Sequence, residues 1–150
     1  MRVDVTTNSV TGRMSLCAAG ECRVGSAAAG EDRAWVIDCC SGEVREINPV
    51  ILAVTGNARL GKGIWGMTSD GESVRALHQE TGRFVRLEPG SSKPAQVIKT
   101  KMSSALYPEP GADSLWFYAN NKKIVGVPTA TEKIASRITP SQVRAFAVSD

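Results

Sequence analysis

Apolar and polar residues alternate with a period of two over several short stretches of the chain, which is the pattern of strands that bury one face. Residues 43–47 alternate charged with apolar side chains, residues 34–38 are a strand candidate, and the Cys-Cys-Ser-Gly turn between them predicts a β-hairpin. Asn48-Pro49 ends this hairpin. The fully apolar residues 50–54 that follow predict another strand.

The same pattern returns twice further along the chain. Asp70-Gly71 is a dipeptide that favours a tight turn, and it separates two apolar stretches in the second occurrence. Strands are predicted at residues 63–67, 72–77, 83–87, 96–99, 114–118, 123–127 and 133–138.

The remaining segments predict loops and one helix. Residues 18–30 are rich in Gly, Ala and Ser and show no period, so they predict a loop or an arm. Residues 107–111, Tyr-Pro-Glu-Pro-Gly, also predict a loop. Thr139 as N-cap and Pro140 at the first helical position predict a short helix or tail that ends near Ala147.

These elements predict an all-β fold, built mainly from antiparallel hairpins in a sandwich or barrel, with a flexible N-terminal arm and a short C-terminal helix or tail. The arm or loop-rich segment comprises residues 1–32, and a single β domain comprises residues 33–150. The length of 150 residues agrees with one domain.

Trp35, Trp65 and Trp116 each lie near the start of a strand–turn–strand module. The last two modules also share an apolar strand, a Thr-Gly-Arg or Thr-Glu-Lys turn, and a strand of alternating charged and apolar residues. Over residues 33–138 this pattern resembles the repeated blade of a β-propeller, which implies a repeat architecture. Three modules also suit a β-trefoil, and a meander of unrelated hairpins would look similar, so both alternatives stay open.

A second resemblance covers about twenty residues. Residues 107–128 combine a Tyr-Pro pair, a loop, an aromatic strand, a polar turn, an apolar strand and a final proline. This order resembles segments of structural proteins from tailed-phage particles. The resemblance implies a virion component.

Composition and charge narrow the classes of function. The net charge is +3 and no run of five like charges is present, so nucleic acid is disfavoured as a partner. No apolar run is long enough for a membrane helix, and Asp4 lies where a signal peptide would be apolar. We therefore expect no membrane partner, and the location stays open between the cytoplasm and a virion.

The four cysteines, Cys17, Cys22, Cys39 and Cys40, are expected to be reduced, because no signal peptide is visible. If oxidised, Cys17 and Cys22 would close a small loop. A zinc site is disfavoured, because neighbours on a strand point to opposite faces and only His78 could add an imidazole. No elbow or flanking signature accompanies His78, so the sequence predicts no catalytic residue and no metal ligand.

Residues 51–63 present an apolar stretch followed by G-x-x-x-x-G-K, which is close to a phosphate-binding P-loop. Gly63 stands where the magnesium-binding Ser or Thr belongs, and a turn-rich segment follows instead of a helix. Gly61, Gly63 and Gly66 also match G-x-G-x-x-G without a following helix. Both matches favour a strand that leads into a glycine-rich turn, and we expect no cofactor.

Basic residues form two groups that could make charged faces, although any water-exposed strand face has a similar composition. The first group combines an aromatic residue with three arginines: Arg75, Arg83, Phe84 and Arg86. The second group consists of lysines: Lys99, Lys101, Lys122 and Lys123.

Trp116, Phe117 and Tyr118 place aromatic side chains on both faces of one strand. If one face is core, the other exposes apolar area and predicts contact with a partner, whereas a second covering sheet is the alternative. With no catalytic signature, this favours a non-enzymatic structural or interaction subunit of a larger assembly, whose partners are other protein chains, the same or different. A ligand-binding or lyase-like module of β-propeller or β-trefoil type is the alternative, and a nucleic-acid-binding β-barrel ranks third.

Overall fold

A computed structural model describes residues 1–16, 22–100, 106–111, 114–119, 123–128 and 136–138. No helix occurs among them, so the all-β prediction is confirmed, and none of these residues belongs to a helix that could span a membrane. The strands are β1 Arg2–Asp4, β2 Ser9–Gly12, β3 Val24–Ala29, β4 Ala34–Asp38, β5 Glu43–Asn48, β6 Ala53–Arg59, β7 Ile64–Ser69, β8 Val74–His78, β9 Arg83–Leu87, β10 Gln96–Lys99, β11 Leu106–Pro110, β12 Ser114–Ala119, β13 Lys123–Pro128 and β14 Ser136–Ile138.

Twelve of these strands form three four-stranded antiparallel sheets, and β1 and β2 form a separate hairpin. Each sheet is a meander in chain order: the first sheet contains β3 to β6, the second β7 to β10 and the third β11 to β14. Neighbouring sheets touch through their first strands, because β3 lies against β7 and β7 against β11. The sheets are therefore arranged around a line of inner strands, as the blades of a β-propeller are.

Two hydrophobic cores lie between the sheets, and each large side chain in them stabilises the fold by roughly 1.5–3 kcal/mol relative to exposure. The first core joins the first and second sheets through Trp35, Ile37, Val44, Ala58, Leu60, Ile64, Met67, Val74, Ala76, Val85 and Leu87. The second core joins the second and third sheets through Leu77, Phe84, Ile98, Leu115, Phe117, Ala119, Val125 and Val127.

One backbone hydrogen bond recurs between the first and second strands of every sheet. In each case an amide donates to the carbonyl oxygen three residues later: Gly30 to Arg33, Asp70 to Ser73, and Gly111 to Ser114. The interval between successive bonds is constant to within one residue. The three sheets are therefore internal repeats of one unit.

The three tryptophans do not share one position in this repeat. Trp35 and Trp116 lie in the second strand of their sheets, at the same distance from the recurring turn. Trp65 lies in the first strand of the second sheet, and Arg75 takes the equivalent of the Trp35 position there. Modules aligned on their tryptophans would therefore match the first strand of the second sheet with the second strand of the third sheet.

The strand predicted at residues 50–54 is wrong, because β6 begins only at Ala53. The Asn48 side-chain oxygen accepts hydrogen bonds from the amides of Val50 and Ile51, at 2.8 and 3.2 Å, and so forms a turn. Val50 and Ile51 are exposed on this turn. An apolar run of this kind is typical of a buried strand, which explains the wrong prediction. The predicted hairpin of β4 and β5 that precedes this turn is confirmed.

Two segments predicted as loops contain strands. β3 consists mostly of small residues and has no fully buried position, so it lacks the alternation by which strands are recognised. β11 contains Pro108 and Pro110, which an edge strand tolerates because it needs fewer amide donors. The helix predicted after Thr139 lies outside the described residues, and the division into residues 1–32 and 33–150 stays a prediction.

Asp70 anchors the recurring turn of the second sheet. Its Oδ1 accepts a hydrogen bond from the Ser73 amide at 2.7 Å, and Arg75 Nη1 donates to its Oδ2 at 2.6 Å. Burial by itself would raise the pKa of this carboxyl, but the hydrogen bonds from Ser73 and Arg75 outweigh burial and hold the pKa below its ordinary value of 3.8. The ionised form of Asp70 therefore stabilises the native state.

We expect Asp70→Asn to lower the free energy of unfolding at neutral pH. Because the native pKa is depressed, the difference from the wild type should be fully present above pH 3.8 and should shrink as the pH falls below that value. Denaturant titrations at several pH values measure this difference. Glu72→Gln, at an exposed position two residues on, is the control. A difference that does not change with pH contradicts the assignment.

Candidate interaction surfaces

The third sheet has one face that belongs to neither of the two described cores. Trp116 and Tyr118 project from this face on β12 and lie opposite Gly126 and Ile124 on β13. The side chains of Trp116, Tyr118 and Ile124 are half-buried. These four residues are called the outer face of the third sheet.

The corresponding faces of the other two sheets are buried. In the first sheet Trp35, Ile37 and Val44 pack in the first core against the second sheet. In the second sheet Leu77 and Phe84 pack in the second core against the third sheet. Within the described residues, the outer face of the third sheet is thus the one member of this series without a covering sheet.

Phe117 points away from the outer face of the third sheet. It is fully buried in the second core, where its ring centroid lies 4.8 Å from that of Phe84 at an interplanar angle of 58°. The aromatic residues of β12 therefore do lie on both faces of the strand, as the alternation predicts. Contact of Trp116, Phe117 or Tyr118 with a partner stays a prediction, and the burial of Phe117 leaves Trp116 and Tyr118 as the accessible members.

The far side of the first sheet is the counterpart of this face. It carries Ala34 and Val36 on β4 and Arg45 and Ile47 on β5. The residues at the equivalent positions of the second and third sheets are all apolar, and they pack against the preceding sheet. Arg45 Nη2 donates to Glu43 Oε2 at 2.7 Å, and Arg45 Nη1 donates to the Leu16 carbonyl oxygen. The far side of the first sheet is therefore apolar with one central arginine.

A groove of about 470 Å³ runs along the inner strands β3, β7 and β11. Trp65 is the largest side chain that lines it and is 40% exposed. The Arg23 guanidinium carbon lies 5.3 Å from the centroid of the Trp65 ring, which is a cation–π distance. The Met67 amide donates to the Ser26 hydroxyl at 3.2 Å and so ties β7 to β3. The groove combines residues from three strands, so no local sequence pattern predicts it.

The P-loop-like segment does not have the structure that phosphate-binding P-loops require. Gly56 lies within β6, and β7 begins at Ile64, directly after Gly61, Lys62 and Gly63. A strand rather than a helix therefore follows the glycines. A strand does lead into the glycine-rich turn at residues 61–63, as predicted, but this strand is β6, which begins at Ala53 and includes Gly56.

The cysteines are in different states. Cys22 is disulfide-bonded, which overturns the prediction of a reduced thiol at that position. Cys39 and Cys40 are free, and burial raises the pKa of the Cys39 thiol, whereas Cys40 is exposed. Across the described ranges no group of three or more His, Cys, Asp or Glu residues is placed to hold a metal ion.

The residues predicted to form a basic face of the second sheet lie on both of its faces, because successive residues of a strand project to opposite sides. Arg75 and Arg86 are paired across β8 and β9 and share the face of the buried Phe84. Arg83 belongs to the opposite face of β9, next to His78 on β8. The four residues therefore do not form one surface. Two members of the lysine group lie outside the described residues: Lys101 and Lys122.

Comparison with known proteins identifies the fold but no family. No protein-family model and no curated protein matches the sequence. Glutaminyl cyclase from Myxococcus xanthus is similar in structure, with a TM-score of 0.65 and 12% identity over 82% of this chain and 55% of that chain. Hydrazine synthase from Kuenenia stuttgartiensis is similar with a TM-score of 0.74 and 14% identity, over 90% of this chain and 41% of that chain. BamB from Moraxella catarrhalis is similar with a TM-score of 0.69 and 12% identity, over 92% of this chain and 43% of that chain.

These similarities establish the fold alone, because the identities lie between 12% and 14%. BamB is a β-propeller-type protein, so the resemblance to β-propeller blades is confirmed at the level of fold. The chain spans about half the length of these structures, from 41% to 55%. None of the three is a phage protein, and the resemblance of residues 107–128 to phage particle proteins gains no support.

Proposed function

We propose that this protein is a non-enzymatic interaction subunit that assembles with a second copy of itself into a larger β-propeller. The observation that carries the proposal is the outer face of the third sheet, whose counterparts in the first and second sheets are buried under the following sheet. Aromatic and apolar area on a sheet face favours association with a protein surface.

The first sheet of a second copy has the chemistry that this face requires. Its far side carries Ala34 and Val36, which are half-buried, and Ile47, which is buried in the single chain, at the positions by which later sheets cover their predecessors. Arg45 stands in the middle of that side, and a guanidinium over Trp116 or Tyr118 would add a cation–π contact of roughly 0.5–2 kcal/mol. The pairing of Arg23 with Trp65 in this chain is an example of the same contact.

The number of blades in closed β-propellers supports a second copy of this chain as the partner that covers the outer face of the third sheet. Two copies supply twice the three sheets of one chain, which lies within the roughly four to eight blades of closed propellers. In such a ring each third sheet meets the first sheet of the other copy, so neither chain keeps an uncovered sheet face. A closed ring also removes the exposed sheet faces that would otherwise promote open-ended association.

Sedimentation velocity or native mass spectrometry tests the proposal, and we expect the wild-type protein to have twice the mass of one chain. Trp116→Arg places a second positive charge opposite Arg45, and an unpaired charge buried in an interface costs roughly 3–5 kcal/mol. The dissociation constant of the dimer should therefore rise at least about a hundredfold.

Trp65→Arg is the matched control, because it makes the same change in the inner-strand groove, away from both sheet faces. It should leave the mass of the dimer unchanged. A monomeric wild-type protein over the whole accessible concentration range overturns the proposal, and so does a dimer that Trp116→Arg does not weaken.

The inner-strand groove favours a second candidate function, a ligand-binding module of the β-propeller type. Its volume of about 470 Å³ lies in the range of small-molecule sites, and it combines the exposed Trp65 ring with the carboxylate of Glu109. This function requires no second copy. A monomeric protein would therefore favour the groove over the outer face of the third sheet as the functional surface.

A further inference from the structure

Three basic side chains form a row across one end of the second sheet. Arg83 on β9 lies directly opposite His78 on β8 and directly opposite Lys99 on β10. Residues that lie opposite each other in a sheet project from the same face, with their Cβ atoms about 5 Å apart. The like charges of Arg83 and Lys99 at such positions repel each other, so their placement is electrostatically unfavourable by itself.

The row contains two buried nitrogen atoms without a hydrogen-bond partner. They are Nδ1 of His78 and Nε of Arg83, although the two residues as a whole are only half-buried. No ion pair involves His78, Arg83 or Lys99 in the part of the chain that the structure describes. A buried donor without an acceptor is destabilising, and natural structures satisfy most such groups with protein, water or an ion.

The fold itself does not require basic residues at these positions. The equivalent row of the first sheet consists of Asp38, Glu43 and Arg59, which occupy the same register across β4, β5 and β6. There the Asp38 carboxylate accepts a hydrogen bond from the Ser41 hydroxyl at 2.6 Å. The same architecture thus accommodates acidic residues in one sheet and an unpaired basic row in the next.

The glycine-rich turn before β7 lies against this row. A Cβ atom at Gly63 would come within 2.8 Å of His78 Cε1 and 3.0 Å of Nε2, so the turn backbone packs directly on the imidazole. Lys62 precedes Gly63 and adds a positive charge at this end of the sheet. The acidic residue nearest in sequence, Glu80, is exposed on the turn after His78.

We propose that His78, Arg83 and Lys99 form a binding site for a small oxyanion of the phosphate type. A guanidinium presents several N–H donors in a planar fork, which matches two oxygen atoms of a phosphate, and a lysine ammonium adds a point charge. Such an anion would be held by the accessible part of the half-buried Arg83 guanidinium and by the exposed Lys99 ammonium, and it would screen the repulsion between their charges. The inference does not depend on the association of two copies.

Inorganic phosphate is the probe, and the imidazole of His78 is the reporter, because the chain contains one histidine. We expect its ¹H–¹⁵N signals to shift in a saturable manner as phosphate is added to the full chain at constant pH. Sodium chloride at matched ionic strength should not reproduce the saturation. Arg83→Met should weaken the binding at least about tenfold, because a hydrogen bond to a charged group is lost together with the charge.

Lys99→Met removes a charge at an exposed position, so it tests the site even if Arg83→Met fails to fold. It should also weaken phosphate binding. Arg59→Met is the matched control, because Arg59 is exposed and occupies the position equivalent to Lys99 in the first sheet. The proposal is overturned if no saturable shift occurs, if sodium chloride produces the same shift, or if Lys99→Met and Arg59→Met bind phosphate equally well.

Discussion

Replacement of Phe117 by alanine is expected to lower the free energy of unfolding by about 3–5 kcal/mol. Phe117 is fully buried, and its ring packs against Phe84 between the second and third sheets. Truncation removes the transfer free energy of a phenyl ring and leaves a cavity that the neighbouring strands can fill only in part. The same contact joins two sheets, so its loss weakens the attachment of the third sheet.

Denaturant unfolding followed by tryptophan fluorescence measures this loss. Phe117→Leu keeps most of the volume and should cost clearly less than the alanine variant. Tyr118→Ala, one residue on, removes an aromatic ring from the opposite, half-buried face and should also cost less. If Tyr118→Ala destabilises the protein as much as Phe117→Ala does, the assignment of the two faces of β12 is incorrect.

Gly42→Ala is expected to destabilise the protein by more than about 3 kcal/mol, because two separate costs add. Gly42 has a φ of +70°, in the left-handed region that disfavours a side chain. In addition, a Cβ atom at this position would overlap the Gly61 carbonyl oxygen. The backbone cannot easily withdraw, because the Gly42 carbonyl oxygen accepts a hydrogen bond from the Leu60 amide at 2.9 Å.

Gly90→Ala separates the two costs. Gly90 has nearly the same φ, +69°, but no atom lies within 4 Å of the position that its Cβ would take. This variant should therefore lose only the left-handed penalty of about 1–2 kcal/mol. Its amide donates to Glu46 Oε2 at 2.7 Å, and alanine keeps that donor. Equal denaturation midpoints for Gly42→Ala and Gly90→Ala would show that the turn at Gly42 moves freely away from Gly61.

The sequence predicts the strands that bury one face and misses those that do not. β5 and β9 alternate charged with apolar residues, β4 and β8 are rich in apolar residues that pack against neighbouring sheets, and the hairpins that they form are visible in the sequence. The sequence does not predict β3, because this inner strand consists mostly of small, partly exposed residues and shows no alternation. Val50 and Ile51 mislead in the opposite sense, because their apolar side chains lie exposed on a turn.

The candidate surfaces are predictable to a different degree. The aromatic residues on both faces of β12 are visible in the sequence, because three neighbouring residues carry the signal. The row of His78, Arg83 and Lys99 is not visible, since its members come from three strands and meet only through the register of the second sheet. Local periodicity reports which face a residue occupies, whereas a site built across strands requires the pairing itself.

The equivalence of the three sheet faces also bears on how such a chain can change in length. Each core joins one sheet to the next along the chain, so a sheet added after the third would meet a surface that already matches it. Duplication of one repeat would extend the protein without redesign of the existing cores. The outer face of the third sheet is thus a surface on which one further repeat could pack, and it is the same surface that we propose for association between separate chains.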